Sequence, residues 1–231
     1  MLIDHIGAVL FPSILIFRII GRISLPLFAF AVSEGCRYTK NRLRHLLFLA
    51  GFAAVCQVGY YIFAKDAYFT ILVTLTFSVL MINTLDLFKI SLFDENATGV
   101  LKTVYALLFV ASVMFVYFFC HRFKVSYGFF GCLLPVFASI FDLRRTNAPE
   151  YIRRIDTLGA RILTMSLGLF ILTLNQSGGR FVTLHLFAFA AVLILLLYNG
   201  ERGKLKMKYF FYIFYPAHLI VLKGIEILFF Q

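Results

Sequence analysis

Residues 1–36 read MLIDHIGAVLFPSILIFRIIGRISLPLFAFAVSEGC. The stretch is apolar almost throughout, yet it holds Asp4, His5, Arg18, Arg22 and Glu34. How such charges are to be read depends on the solvent of the segment, and the rest of the chain supplies that. Hydrophobic residues make up 61% of the 231 residues, charged residues 14%, and the mean hydropathy is +0.91. Soluble domains carry about 45–50% apolar and about 25% charged residues. The composition predicts an all-α, polytopic membrane bundle in one domain, 1–231, with lipid as its partner.

A helix crosses a bilayer with about 20 apolar residues. Working outward from the opening stretch, such segments lie at 1–17, 19–36, 43–63, 68–88, 100–120, 125–142, 158–175, 181–198 and 209–229, which predicts eight or nine transmembrane helices. The first two are short and close together, so a tight turn between Pro12 and Gly21 must part them. The sixth, GFFGCLLPVFASIF at 128–141, is short and holds Pro135, as expected of a kinked or partly spanning helix. Trp is absent, leaving Tyr and Phe for the interfaces.

The net charge of +11 would suggest nucleic acid in a soluble chain. Here the cations cluster in short loops, as the positive-inside effect requires, and no RNA- or DNA-reading module is present. With the N-terminus inside, fifteen of the 22 Lys and Arg fall on the inner side, Lys89 and Arg161 among them. The multi-pass chain is therefore expected in the cell membrane with a cytoplasmic N-terminus, although HRFK at 121–124 runs against the rule. The first apolar run lacks a positive lead-in and a small-residue cleavage site, so no cleavable signal peptide is expected. Cys36, Cys56, Cys120 and Cys132 have neither zinc nor redox spacing and read as packing residues.

Ionisable groups inside apolar segments face a bundle interior or a water-filled cavity, and function is the default hypothesis for them. They are Asp4, His5, Arg18, Arg22, Glu34, Asp86, His185, His218, Lys223 and Glu226. Neutral imidazole is cheap to bury and titrates near neutrality, so His5 suits a general base; a buried histidine bonded to a backbone carbonyl is the structural alternative. Asp4 points about 100° away from His5 on a helix and must cap, pair with an arginine or orient another group. Arg18 and Arg22, spaced i, i+4, share a face that either attracts an anion or pairs with Asp4 across the turn. Pro26 frees the carbonyl of Arg22, so a kink that opens a cavity is expected there. Near the chain end, Tyr215 and His218 share a face, with Tyr212 and Pro216 close by, and again a core role is the alternative. The run CRYTKNRLRH, 36–45, places Arg42 and Arg44 where a phosphorylated cofactor would approach, or simply sets topology. No G-x-S-x-G, Walker or H-E-x-x-H motif occurs, which removes serine hydrolase, ATPase and zinc protease chemistry and leaves no metal site.

Three blocks carry a family resemblance: MLIDHIGAVLFP (1–12), RIIGRISLPLFAFAVSEGCRYT (18–39) and KYFFYIFYPAHLIVL (208–222). Together they resemble the TraX family, named for the conjugation protein that acetylates the pilin N-terminus, within the wider transmembrane acyltransferases. D-H-I-G and G-R-x-x-x-P-x-F-A-F are its specific parts, and the blocks reach from end to end of the chain. The resemblance implies acetyl transfer from acetyl-CoA inside the membrane, with His5 at the position of the catalytic histidine. For such chemistry Arg22 and Tyr215 are the candidates to stabilise the charge on the thioester carbonyl, and Asp4 and His218 are expected to position groups around the site. Arg18, Glu34, Arg42, Arg44 and Arg145 are then the residues expected at the cofactor. Family members have a fuller first helix with a basic residue on its cytoplasmic half. Residue 1 already falls inside that helix, so either the start is misassigned or the chain is naturally short; if short, Arg42, Arg44 or Arg145 is expected to meet the phosphates. The acceptor would be an envelope peptide, glycan or lipid. A transporter or lipid-handling protein is the rival reading, since intramembrane charges suit a substrate pathway equally well.

Overall fold

Proline sets the first two boundaries. Pro12 lies in the connection between α1 (Leu2–Val9) and α2 (Leu15–Arg22), so the chain reverses at 10–14, inside what reads from sequence as the first span. α3 (Ser24–Tyr38) follows α2 after Ile23 alone. Pro26 sits in the first turn of α3, where its missing N–H costs nothing, and the Ser24 hydroxyl donates to the Gly21 carbonyl at 2.7 Å. Where a kink is expected at Arg22, the helical run is interrupted at Ile23. The two expected spans, 1–17 and 19–36, become one short helix and one segment, Leu15–Tyr38, long enough to cross a membrane.

The computed structural model describes residues 1–64, 68–175, 186–201 and 208–229. After α3 come α4 (Arg42–Ala64), α5 (Ile71–Leu92), α6 (Gly99–Arg122), α7 (Gly128–Ser139), α8 (Glu150–Arg153), α9 (Leu158–Asn175), a 3₁₀ turn (Phe187–Phe189), α10 (Ala190–Leu196) and α11 (Lys208–Phe229). Among the described residues five helical segments are long and apolar enough to cross a membrane: Leu15–Tyr38, Arg42–Ile62, α5, α6 and α9. Gly128–Ser139, Phe187–Leu196 and Ile213–Leu222 are apolar but shorter. The protein is a helical membrane protein; its N-terminal 17 residues and the segment at 125–142 do not form full spans.

The chain divides into two compact units, residues 1–28 with 173–231, and residues 29–172. In the first, α1 packs on α2 and on α11, and α2 meets the 3₁₀ turn. Two glycines allow the α1–α2 approach. A Cβ at Gly7 would lie 2.6 Å from Phe17 Cβ, and one at Gly21 would lie 2.7 Å from the Asp4 Cα. Gly21→Ala is expected to force this hairpin open and cost about 1–3 kcal/mol, the usual penalty of overpacking. Thermal melting followed by circular dichroism checks it against Gly59→Ala, where the added methyl meets nothing within 4 Å. Equal melting of the two variants would remove the steric argument.

In the second unit α5 is the central helix and buries Leu72, Leu75, Val79, Met81 and Ile82. It packs on α4, α6 and α7. α7 is only 12 residues, about 18 Å, too short for a full span as its short apolar run and Pro135 lead one to expect, and it is buried along most of its length. Side chains add bonds to its carbonyls: Ser78 of α5 donates its hydroxyl to the Cys132 carbonyl at 2.7 Å, and Ser139 of α7 itself donates to the Pro135 carbonyl at 3.0 Å. α4 and α6 instead present apolar side chains outward, with Val55, Val58, Leu107 and Phe118 exposed, as a lipid-facing surface requires. Cys120 and Cys132 are unbonded but their sulfurs lie 3.9 Å apart, a proximity that their sequence spacing does not reveal.

Candidate active site

In the first unit the side chains of Asp4 and His5 diverge, as their helical offset demands. Asp4 turns to α2: its Oδ1 is 3.1 Å from Arg18 and 4.0 Å from Arg22, and Arg18 also donates to the Asp4 carbonyl at 3.2 Å. The pairing of these arginines with Asp4 that the sequence allows is present. Arg22 is buried despite its charge, as the carboxylate beside it permits.

His5 turns to α11. Its Nδ1 lies 2.9 Å from His218 Nε2, with the rings stacked at 5.1 Å between centroids. His218 in turn holds its Nδ1 2.7 Å from the Phe214 carbonyl, one turn back on its own helix. A carbonyl only accepts, so His218 carries its proton on Nδ1 and presents Nε2 as an acceptor. His5 must then donate from Nδ1, which leaves the lone pair on its Nε2. The Phe214 carbonyl thereby selects, through His218, the tautomer in which His5 Nε2 is the basic nitrogen. His218 is buried, and the rings of Tyr215 and Phe214 lie against it at 5.7 and 5.1 Å. The backbone-carbonyl bond that is the structural alternative for His5 is made by His218, whereas His5 bonds another imidazole. His185 lies outside the described residues, as do the side chains of Tyr212, Lys223 and Glu226.

The second unit holds the other expected residues. Glu34 Oε1 pairs with Arg161 at 2.5 Å. Arg161 also donates to the Ala138 carbonyl at 3.1 Å and to the Ser33 hydroxyl at 3.1 Å, and Ser33 bonds Ser139 at 2.9 Å. Lys89 donates to the Ser139 and Asp142 carbonyls at 2.9 and 2.8 Å and pairs with Asp86 at 2.6 Å; Asp86 receives Arg42 at 2.5 Å. A string of polar groups thus runs across α3, α4, α5, α7 and α9. Lys89 and Arg161 are 6% and 3% exposed, so they are buried helix residues and not the inner-loop cations that a charge tally makes of them. Sequence reasoning undervalued both; the signal was an acid and a base at i, i+3 in apolar α5, and an arginine one turn into apolar α9.

Around the loop after α7, Arg37 pairs with Asp156 at 2.7 Å and Asp142 at 3.3 Å, and Arg145 donates to the carbonyls of Arg37 and Thr39. Burial pushes the Asp142 carboxyl up, opposed by Arg37 and Lys89, and burial together with the nearby Arg42 charge pulls Arg145 down. Arg42 and Arg145 are therefore committed to internal partners. Of the cations expected at the cofactor, Arg44 is the exposed one, its backbone N–H bonded to Asn41 at 2.9 Å.

These features define a helical membrane protein with a paired-histidine centre next to an Asp–Arg pair. The sequence pattern described as TraX protein matches residues 1–226. The chain belongs to the TraX family. No curated protein and no solved structure matches it.

Proposed function

We propose that the protein is a multi-pass enzyme of the cell membrane, with its N-terminus in the cytoplasm, that moves an acetyl group from acetyl-CoA to an amine or hydroxyl of an envelope peptide, glycan or lipid. The observation that supports this best is the Phe214–His218–His5 relay, which leaves a lone pair on His5 Nε2. As the acceptor attacks the thioester carbonyl, His5 Nε2 takes its proton. The carbon–sulfur bond then breaks, and the imidazolium returns the proton to the departing thiolate, leaving acetylated acceptor and free coenzyme A. Arg22 and Tyr215 are the donors we assign to the developing oxyanion, and Asp4 positions Arg22 from 4.0 Å.

Turnover is read as coenzyme A release by the purified protein from labelled acetyl-CoA with membrane extract as acceptor. Label that never leaves acetyl-CoA would reject the acetyltransferase reading, and stabilisation by some other solute would favour transport. His218→Ala is expected to lower kcat without raising KM, because His5 then samples both tautomers. His218→Asn, which keeps an acceptor for His5, is expected to recover part of the loss. A rise in KM alone would assign His218 to substrate binding.

A further inference from the structure

At the polar end of the second unit lies an open hollow of about 460 Å³. Its volume falls in the range of small-molecule sites, about 300–1,000 Å³. Arg37 and Asp156 form part of its wall and cancel each other's charge at 2.7 Å. The remaining charges do not balance. Arg144, Arg153 and Arg154 are exposed around the hollow, facing one further carboxylate, Glu150, which sits 3.4 Å from Arg154. Among the described residues neither Arg144 nor Arg153 forms an ion pair with a carboxylate. Arg144 stacks over the Tyr38 ring at 4.5 Å, which orients its planar fork at the rim. Guanidinium forks match phosphate oxygens two at a time, and several around one hollow suit a ligand with more than one phosphate. Arg42 and Arg145, two of the three cations expected at the phosphates from the family resemblance, are occupied by Asp86 and by backbone carbonyls.

We infer that the hollow formed by Tyr38, Arg144, Arg153 and Arg154 binds the phosphates of a phosphorylated ligand and, resting on the acetyl-CoA reading above, that this ligand is the phosphorylated adenosine end of the coenzyme. The headgroup of an anionic phospholipid shares the phosphate chemistry, so the test separates the two.

Binding of labelled coenzyme A to the full chain in phosphatidylcholine nanodiscs is measured for wild type, Arg144→Ala/Arg153→Ala and His5→Ala. Loss of two charge-assisted contacts is expected to weaken coenzyme A binding at least about tenfold. His5→Ala is expected to bind coenzyme A like wild type. Unchanged circular-dichroism melting of the double variant confirms its fold, since both side chains are exposed. Wild-type binding that the double variant retains would overturn the phosphate site and leave the acetyltransferase reading standing. Wild type that ignores coenzyme A but retains phosphatidylglycerol from mixed nanodiscs, with retention lost in the double variant, would overturn the coenzyme assignment together with the donor reading.

Discussion

His5→Ala is expected to lower acetyl transfer by about 10²–10⁴-fold, the range that a positioned general base contributes. Binding of acetyl-CoA should stay near the wild-type level, because the variant removes the proton acceptor and leaves every cation in place. His5→Gln is the informative companion. It keeps a donor toward His218 Nε2, at 2.9 Å in the native pair, but has no basic nitrogen. If the imidazole serves as base, Gln fails as completely as Ala. If His5 only holds α1 against α11, Gln retains most of the activity and Ala destabilises the first unit. Coenzyme A release measured beside thermal melting separates these outcomes, and undiminished release by His5→Ala would remove His5 from the mechanism.

The second large effect concerns stability. Arg161→Ala is expected to cost about 3–5 kcal/mol, because it removes the guanidinium that the largely enclosed Glu34 carboxylate holds at 2.5 Å. The Arg161 side chain is 4% exposed and that of Glu34 12%, so water cannot replace the lost partner. Removing Arg161 also frees the Ala138 carbonyl and the Ser33 hydroxyl of their donor. Glu34→Ala should be comparably harmful by stranding the guanidinium. The double replacement Glu34→Met/Arg161→Met is expected to recover much of the loss, since a buried ion pair exchanged for apolar side chains of similar volume is often nearly neutral. Chemical unfolding in detergent reads all three. Single variants within about 1 kcal/mol of wild type would mean that water reaches the pair and that the buried string adds little.

Much of the architecture is legible in the chain. Apolar runs of sufficient length, broken by proline and cationic loops, lead to α3–α6 and α9 because lipid leaves the backbone no other way to satisfy itself. Pro26 and Pro135 also mark their helix boundary and short helix correctly. The first span is the instructive failure. Residues 1–17 look like one segment because Phe11, Ile14, Leu15 and Ile16 are all apolar. Pro12 ends that segment, and the hairpin that results depends on Gly7 and Gly21 meeting across the turn, a contact that periodicity does not encode.

The site divides in the same way. Residue type and apolar context were enough to single out His5, Asp4, Arg18, Arg22, Glu34 and His218, because burying an ionisable group demands a reason. Their pairing was beyond the sequence. His5 and His218 stand 213 positions apart, and only the packing of α11 on α1 brings their nitrogens to 2.9 Å and sets which one carries the proton. Arg161 and Lys89 look like loop cations in a charge count, and become buried partners once α9 and α5 take their places around α7. Composition and chemistry are properties of single residues and short windows, so the chain alone determined a helical membrane protein with ionisable groups in its interior. Partnership depends on distances across helices, and only the tertiary structure decided which charge answers which and which ring nitrogen is left basic.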